Sequence, residues 1–96
     1  MKNILKILNQ EFLGKEVTVY NLDATCQELA QQYNFRFNDI LDSENWNCIK
    51  EGAFTFIEKF DEFGQWEMGI DFEFEIVKDN EDEREIIIKI TDINLI

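Results

Sequence analysis

Carboxylates are the reactive groups this chain has in quantity, with 21 aspartates and glutamates against nine lysines and arginines, no histidine and a net charge of −12. Glu67, Asp71, Glu73 and Glu75 share one parity between Trp66 and Val77, and the run Asp79-Asn80-Glu81-Asp82-Glu83 follows soon after. Paired carboxylates can act as acid and base, as in glycosidases. Acids on an exposed strand face lack the desolvation that a general acid needs. The single serine, Ser43, lies in no Gly-x-Ser-x-Gly context, and no glycine-rich phosphate loop is present. The sequence therefore predicts a protein that is not an enzyme.

The oxygen-rich run 79–83 offers ligands of the kind calcium takes, but it lacks the glycine and the distal bidentate glutamate of an EF-hand loop. A solvated hairpin turn is the expectation there, with no metal and no cofactor. Cys26 and Cys48 lack Cys-x-x-Cys spacing, so they read as reduced thiols that pack as small hydrophobes.

What the carboxylates can make is a surface. Successive side chains of a strand point to opposite faces, so residues 66–77 predict one long strand. Trp66, Met68, Ile70, Phe72, Phe74 and Ile76 form its apolar face, and Glu67, Asp71, Glu73 and Glu75 form the other. Alternate residues stand roughly 6.6 Å apart, giving a row of charge that Glu81, Asp82, Glu83 and Glu85 extend. Such a row can imitate a phosphate backbone to a protein built to grip phosphates. It can equally be a solvent face that keeps a sheet in solution. Like charges opposed across strands destabilise a sheet. Lys59 and Lys89, if placed across from these acids, would favour the solvent face. Trp46, Phe63 and Trp66 lie near predicted connections, where aromatics can anchor a partner. The parity of Trp66 with Phe72 and Phe74 assigns it to the core instead, and Trp46 stays open.

Other elements must hold this strand. Met1, Ile4, Leu5, Leu8 and Phe12 recur at helical spacing and Gly14 follows, which predicts an opening helix with a left-handed cap. Lys15 to Tyr20 is β-branched and predicts a strand. Thr25 and Glu28 form a capping-box pattern, with Asp23 as a competing cap, for a second helix ending at Asn34. Phe35 to Glu51 fits an extended piece with a helical turn, or one irregular connection. Ala53 to Phe60, with Phe54, Phe56 and Phe60 on one side, Trp66 to Val77 and Arg84 to Ile96 predict three strands in two hairpins, the first turning at Gly64. In the last strand Ile86, Ile88 and Ile90 are out of phase with Ile93 and Leu95. A bulge near Thr91-Asp92 would switch the faces; the alternative is cover on both sides. The expected fold is α+β, with two N-terminal helices packed on a mainly antiparallel sheet of about four strands.

Ninety-six residues with 45 % hydrophobic content fit one domain, 1–96. Residues 61–96 carry twelve acids against Lys78, Arg84 and Lys89, a balance of −9, whereas residues 1–22 balance at +1. This charge disfavours nucleic acid and anionic membrane as partners and favours basic proteins. Polar residues interrupt the N-terminal apolar positions, so neither a signal peptide nor a membrane span is expected, and the expected location is the cytoplasm.

In its size, its −12 charge and its acidic hairpin region Trp66 to Asp92 around Asp71-Phe72-Glu73-Phe74-Glu75, the chain resembles a class of small acidic proteins. These are carried by phages, plasmids and conjugative elements of low-GC Gram-positive bacteria, among them anti-CRISPR inhibitors of type II systems. The likeness is one of class, since those families share no motif or fold, and it assigns no role to any residue. It implies a stoichiometric inhibitor of a CRISPR effector nuclease, its guide RNA assembly or its DNA-binding cleft. The alternative is a mobile-element accessory protein acting through protein contacts or self-association, with the isoleucine-rich strand Arg84 to Ile96 as contact.

Overall fold

A computed structural model describes residues 2–96; Met1, assigned by its spacing to the first helix, lies outside the described residues. The chain runs α1 (Lys2–Phe12), β1 (Glu16–Thr18), α2 (Val19–Gln32), β2 (Arg36–Phe37), α3 (Cys48–Glu51), β3 (Ala53–Phe60), β4 (Trp66–Lys78), a 3-10 turn (Glu83–Glu85) and β5 (Ile87–Leu95). The strands form one antiparallel sheet in the order β1-β5-β4-β3-β2. This is the expected α+β fold with its C-terminal meander. Two short edge strands bring the sheet to five strands.

The N-terminal half departs from expectation at one residue. Thr18 ends β1 and caps α2, its Oγ1 accepting from the Asn21 N–H at 3.2 Å, so neither Asp23 nor Thr25 is the cap. Starting there adds Val19 and Leu22 to the buried stripe of Cys26, Leu29 and Ala30. That burial outweighs the β preference of Val17-Thr18-Val19. Asn34 ends the helix as expected, at φ 59, with its N–H on the Gln31 carbonyl and that of Phe35 on the Ala30 carbonyl.

Residues 35–51 take the first of their two expected forms, an extended piece followed by turns and a helical turn. Side chains satisfy much of this backbone: the Leu41 N–H donates to Asp39 Oδ1 at 2.8 Å and the Glu44 N–H to Asp42 Oδ1 at 3.1 Å. Ile40 and Ile49 are buried, and Trp46 packs half-buried against the core. Cys26 is buried, Cys48 is partly so, and both are free thiols.

The helices cover one face of the sheet, α1 against β5 and α2 against β2 and β3. Ile4, Leu8, Leu22 and Cys26 meet Phe54, Phe56, Phe72, Ile88 and Ile90 there. Phe56 sits edge-on between Phe54 and Phe72, with ring centres 4.7 and 5.1 Å away. The register passes from Glu73–Asp92 to Phe74–Ile90, leaving Thr91 as the extra residue of the expected bulge. Ile86, Ile88, Ile90 and Ile93 are therefore all buried, and the strand offers none of them to a second copy. Among the described residues, no helix is long and apolar enough to cross a membrane.

Asp23 is the buried acid of the core, 6 % exposed, and its Oδ1 accepts from the Ile40 N–H at 3.1 Å. Burial, then the hydrogen bond and charge of Asp39, push its carboxyl up to about 7 from 3.8, against the opposing pull of the Ile40 N–H. A raised acid stabilises the fold fully below its unfolded value, and that stability is lost as pH rises toward about 7. The loss is at most about 1.4 kcal/mol per pH unit, the worth of one proton. Melting the protein at about pH 5 and pH 8 is expected to show lower stability at the higher pH, with a smaller drop in Asp23→Asn; equal drops would show that another group controls the slope.

Gly52 (φ 79) has the Phe74 carbonyl oxygen 2.9 Å from where a Cβ would stand, whereas Gly64 (φ 80) has nothing within 4 Å. In urea unfolding, Gly64→Ala is expected to lose about 1 kcal/mol from its left-handed backbone alone, and Gly52→Ala at least about 2 kcal/mol.

Candidate functional site

The helices leave the other face of the sheet uncovered, and the register places its side chains. Asp71, Glu73 and Glu75 of β4 lie opposite Asn94, Asp92 and Lys89 of β5, and Lys89 lies opposite Glu16 of β1. On the other side Asp71 faces Thr55 and Glu73 faces Ala53 of β3. Opposed residues share a face. The row is thus a patch of Glu16, Asp71, Glu73, Glu75 and Asp92 around Lys89, with Lys78, opposite Ile87, at its end. Asp71 to Glu75 spans roughly 13 Å at ~3.3 Å per residue.

Three of the four expected row residues are together, and Glu67 is not. The register passes from Lys59–Met68 to Phe60–Trp66, so Glu67 is the extra residue of a bulge, and it pairs with Lys59 Nζ at 3.5 Å. The same bulge corrects the assignment of Trp66 to the core. Trp66 is paired with Phe60 on the open face and is 47 % exposed.

Glu81, Asp82, Glu83 and Glu85 do not extend the row. The 3-10 turn packs against α2, on the helix side, and the Val19 N–H donates to the Ile86 carbonyl beside it. The side chains of Asp79, Asn80 and Asp82 in this connection turn onto local backbone. Asp79 accepts from the Asn80 N–H, Asn80 from the Asp82 N–H, and Asp82 from the Arg84 N–H and Nε. Local turn chemistry accounts for their types. Among the described residues, no group of three or more acids and cysteines is placed to hold a metal ion.

The charge patch has local supports. Asp71 is half-buried; that burial raises its carboxyl above the usual value, while the Thr55 hydroxyl, donating at 3.3 Å, works the other way. Asn94 Nδ2 donates to Asp92 Oδ2 at 3.1 Å, and Asp92 Oδ1 accepts from the Ile93 N–H at 3.0 Å. Glu73 and Asp92 remain directly opposed like charges.

Beyond Asp71 the face changes character. Gly69 lies between Glu58 of β3 and Ile96, and next comes the Phe60–Trp66 pair. Arg36 of β2, opposite Glu58, holds its guanidinium carbon 5.2 Å from the centre of the Phe60 ring. Phe63, on the hairpin turn, is 81 % exposed. Asp92, Glu16 and Arg36 are members of this face that sequence reasoning did not reach, and Phe60, expected on the side of Phe54 and Phe56, is turned onto it because Phe56 is an extra residue of β3. The bulge at Thr91 was the available signal for Asp92, because shifting the strand by one residue turns Asp92 outward.

No family model matches the chain, and no curated protein or solved structure matches it either. The open face thus has an acidic half and an aromatic half.

Because Glu73 and Asp92 repel across the ladder, Glu73→Gln is expected to stabilise the protein by roughly 0.2–1 kcal/mol. The gain should shrink in about 1 M salt, where screening acts within ~3 Å. Thermal melts at low and high salt check this, and a loss of stability at low salt would contradict the opposition of these two charges.

Proposed function

We propose that the protein is a non-enzymatic inhibitor that presents its acidic sheet face to the basic nucleic-acid-binding groove of another protein. The observation that carries this reading is the patch of Asp71, Glu73, Glu75, Asp92 and Glu16, five carboxylates held on paired strands around Lys89. Extended strands fix carboxylates at a spacing that basic phosphate-gripping residues can meet, and long-range attraction raises the association rate. Together with the class resemblance, this favours an anti-CRISPR protein of a phage or plasmid. Its partner would be a type II CRISPR effector nuclease or its guide RNA assembly, met in the cytoplasm of a bacterial host. Direct contact with nucleic acid is disfavoured by the charge.

A second reading is a mobile-element accessory protein whose acidic face is only solvated. The position of Lys89 favours it, since it stands opposite both Glu75 and Glu16 of the patch.

The test is DNA cleavage by purified type II effectors from several low-GC hosts, with the protein added before or after guide RNA. Inhibition in either order supports effector blockade, and inhibition only before guide addition places the target at guide assembly. Absence of inhibition in both orders contradicts the proposal. The triple variant Asp71→Asn, Glu73→Gln, Glu75→Gln is expected to inhibit at least about tenfold less while melting as a folded protein. Unchanged inhibition by it would favour the second reading of the face.

A further inference from the structure

The aromatic half of the open face requires its own explanation. Counting back from the buried Ile70 and the half-buried Met68, strand alternation puts Trp66 on the core side. The extra residue Glu67 reverses this and leaves the indole paired with Phe60 in the open. Bulges commonly re-aim side chains in this way. The Lys59–Glu67 ion pair lies at the same bulge. A face that merely stayed wet would need neither the bulge nor the exposed ring, because an indole gains by leaving water.

Charge decides what can cover this half. Trp66 and Phe60 adjoin Asp71 across Gly69, so anything seated on the rings also meets the carboxylates. A nucleic acid strand could stack on the rings and meet Arg36 with a phosphate, but it would then run into Asp71, Glu73 and Glu75. A second copy carries the same carboxylates and the same −12 charge. A basic polypeptide suffers neither repulsion.

We infer that the Phe60–Trp66 end of the sheet, with Phe63 on the adjoining turn, is an anchor site for a large apolar or aromatic side chain of a basic protein segment. The neighbouring lysines or arginines of that segment lie along Asp71, Glu73 and Glu75. This rests on the proposed reading of the acidic face as a binding surface and adds the chemistry of the partner to it. The two halves do different work. Carboxylates speed encounter and lose their effect in salt, whereas a desolvated aromatic anchor slows dissociation and keeps its effect.

Two synthetic peptides of equal lysine content separate these contributions, one spaced with glycine and serine, the other carrying tryptophan and leucine beside its lysines. Each is titrated into the isotope-labelled protein at about 0.1 M and 0.5 M salt, and amide and indole signals are followed. Both peptides are expected to shift the amides of Asp71, Glu73 and Glu75 at low salt. Only the apolar peptide should shift the Trp66 indole, bind at least about tenfold tighter and persist at high salt. Trp66→Ala should remove that advantage, and Phe63→Ala, on the exposed turn, should reduce it.

Equal affinities, or an unmoved Trp66 indole with a shifted acidic row, would overturn the anchor and leave the acidic reading standing. If neither peptide shifts the row, both readings fall. A single-stranded oligonucleotide that shifts the indole more than the apolar peptide, or a concentration-dependent dimer seen by light scattering, would overturn the choice of a basic polypeptide.

Discussion

Edge-to-face packing of Phe56 against Phe54 and Phe72 fixes how β3 lies on β4, and the position of every open-face side chain follows from it. A slip of one residue between these strands would turn phenylalanines into water and carboxylates toward the helices. Ile70, Phe72 and Phe74 of β4 are buried on the face that the helices cover, so Asp71, Glu73 and Glu75 have only the opposite face to occupy. Their rigidity is inherited from the core, because three consecutive buried contacts on one side hold three consecutive charges on the other.

That arrangement sets stability against the proposed binding. Glu73 and Asp92 are directly opposed, and the lysines of the patch stand away from them, Lys89 between Glu75 and Glu16 and Lys78 opposite Ile87. Strand pairs disfavour such oppositions, and the core carries the cost with twenty buried apolar residues. Concentrated like charge on a firm surface raises encounter rates with a basic partner, while the Phe60–Trp66 end supplies area that can be desolvated. On the proposed reading, the two ends of one face combine a long-range and a short-range contribution to binding.

Much of the fold was legible in residue spacing. β4 and the turn at Gly64 follow from alternation and turn chemistry, and the conflict of phase between Ile90 and Ile93 located the bulge at Thr91; β3 was legible as a strand, but its extra residue Phe56 turns Phe60 away from the side of Phe54. What sequence could not supply were the features decided by tertiary contact. Burial of Val19 and Leu22 moved the start of α2 back to Thr18. Side-chain hydrogen bonds from Asp39 and Asp42 organise a segment that has no period to read. The bulge at Glu67 left no mark in the alternation, so Glu67 was counted in the acidic row and Trp66 in the core. The run Glu81 to Glu85 looked like a continuation of the row in sequence, yet it folds toward α2, because Val19 and Ile86 are hydrogen-bonded there.

The central claim is that this open face binds a basic protein surface. Its most direct measure is the association rate of the protein with a purified type II effector between about 0.05 M and 0.5 M salt, for wild type and for the Asp71, Glu73 and Glu75 neutral variant. A steep fall with salt for the wild type, flattened in the variant, is the expected result. Equal salt dependence of the two proteins, or a rate that salt does not change, would contradict binding through the acidic face.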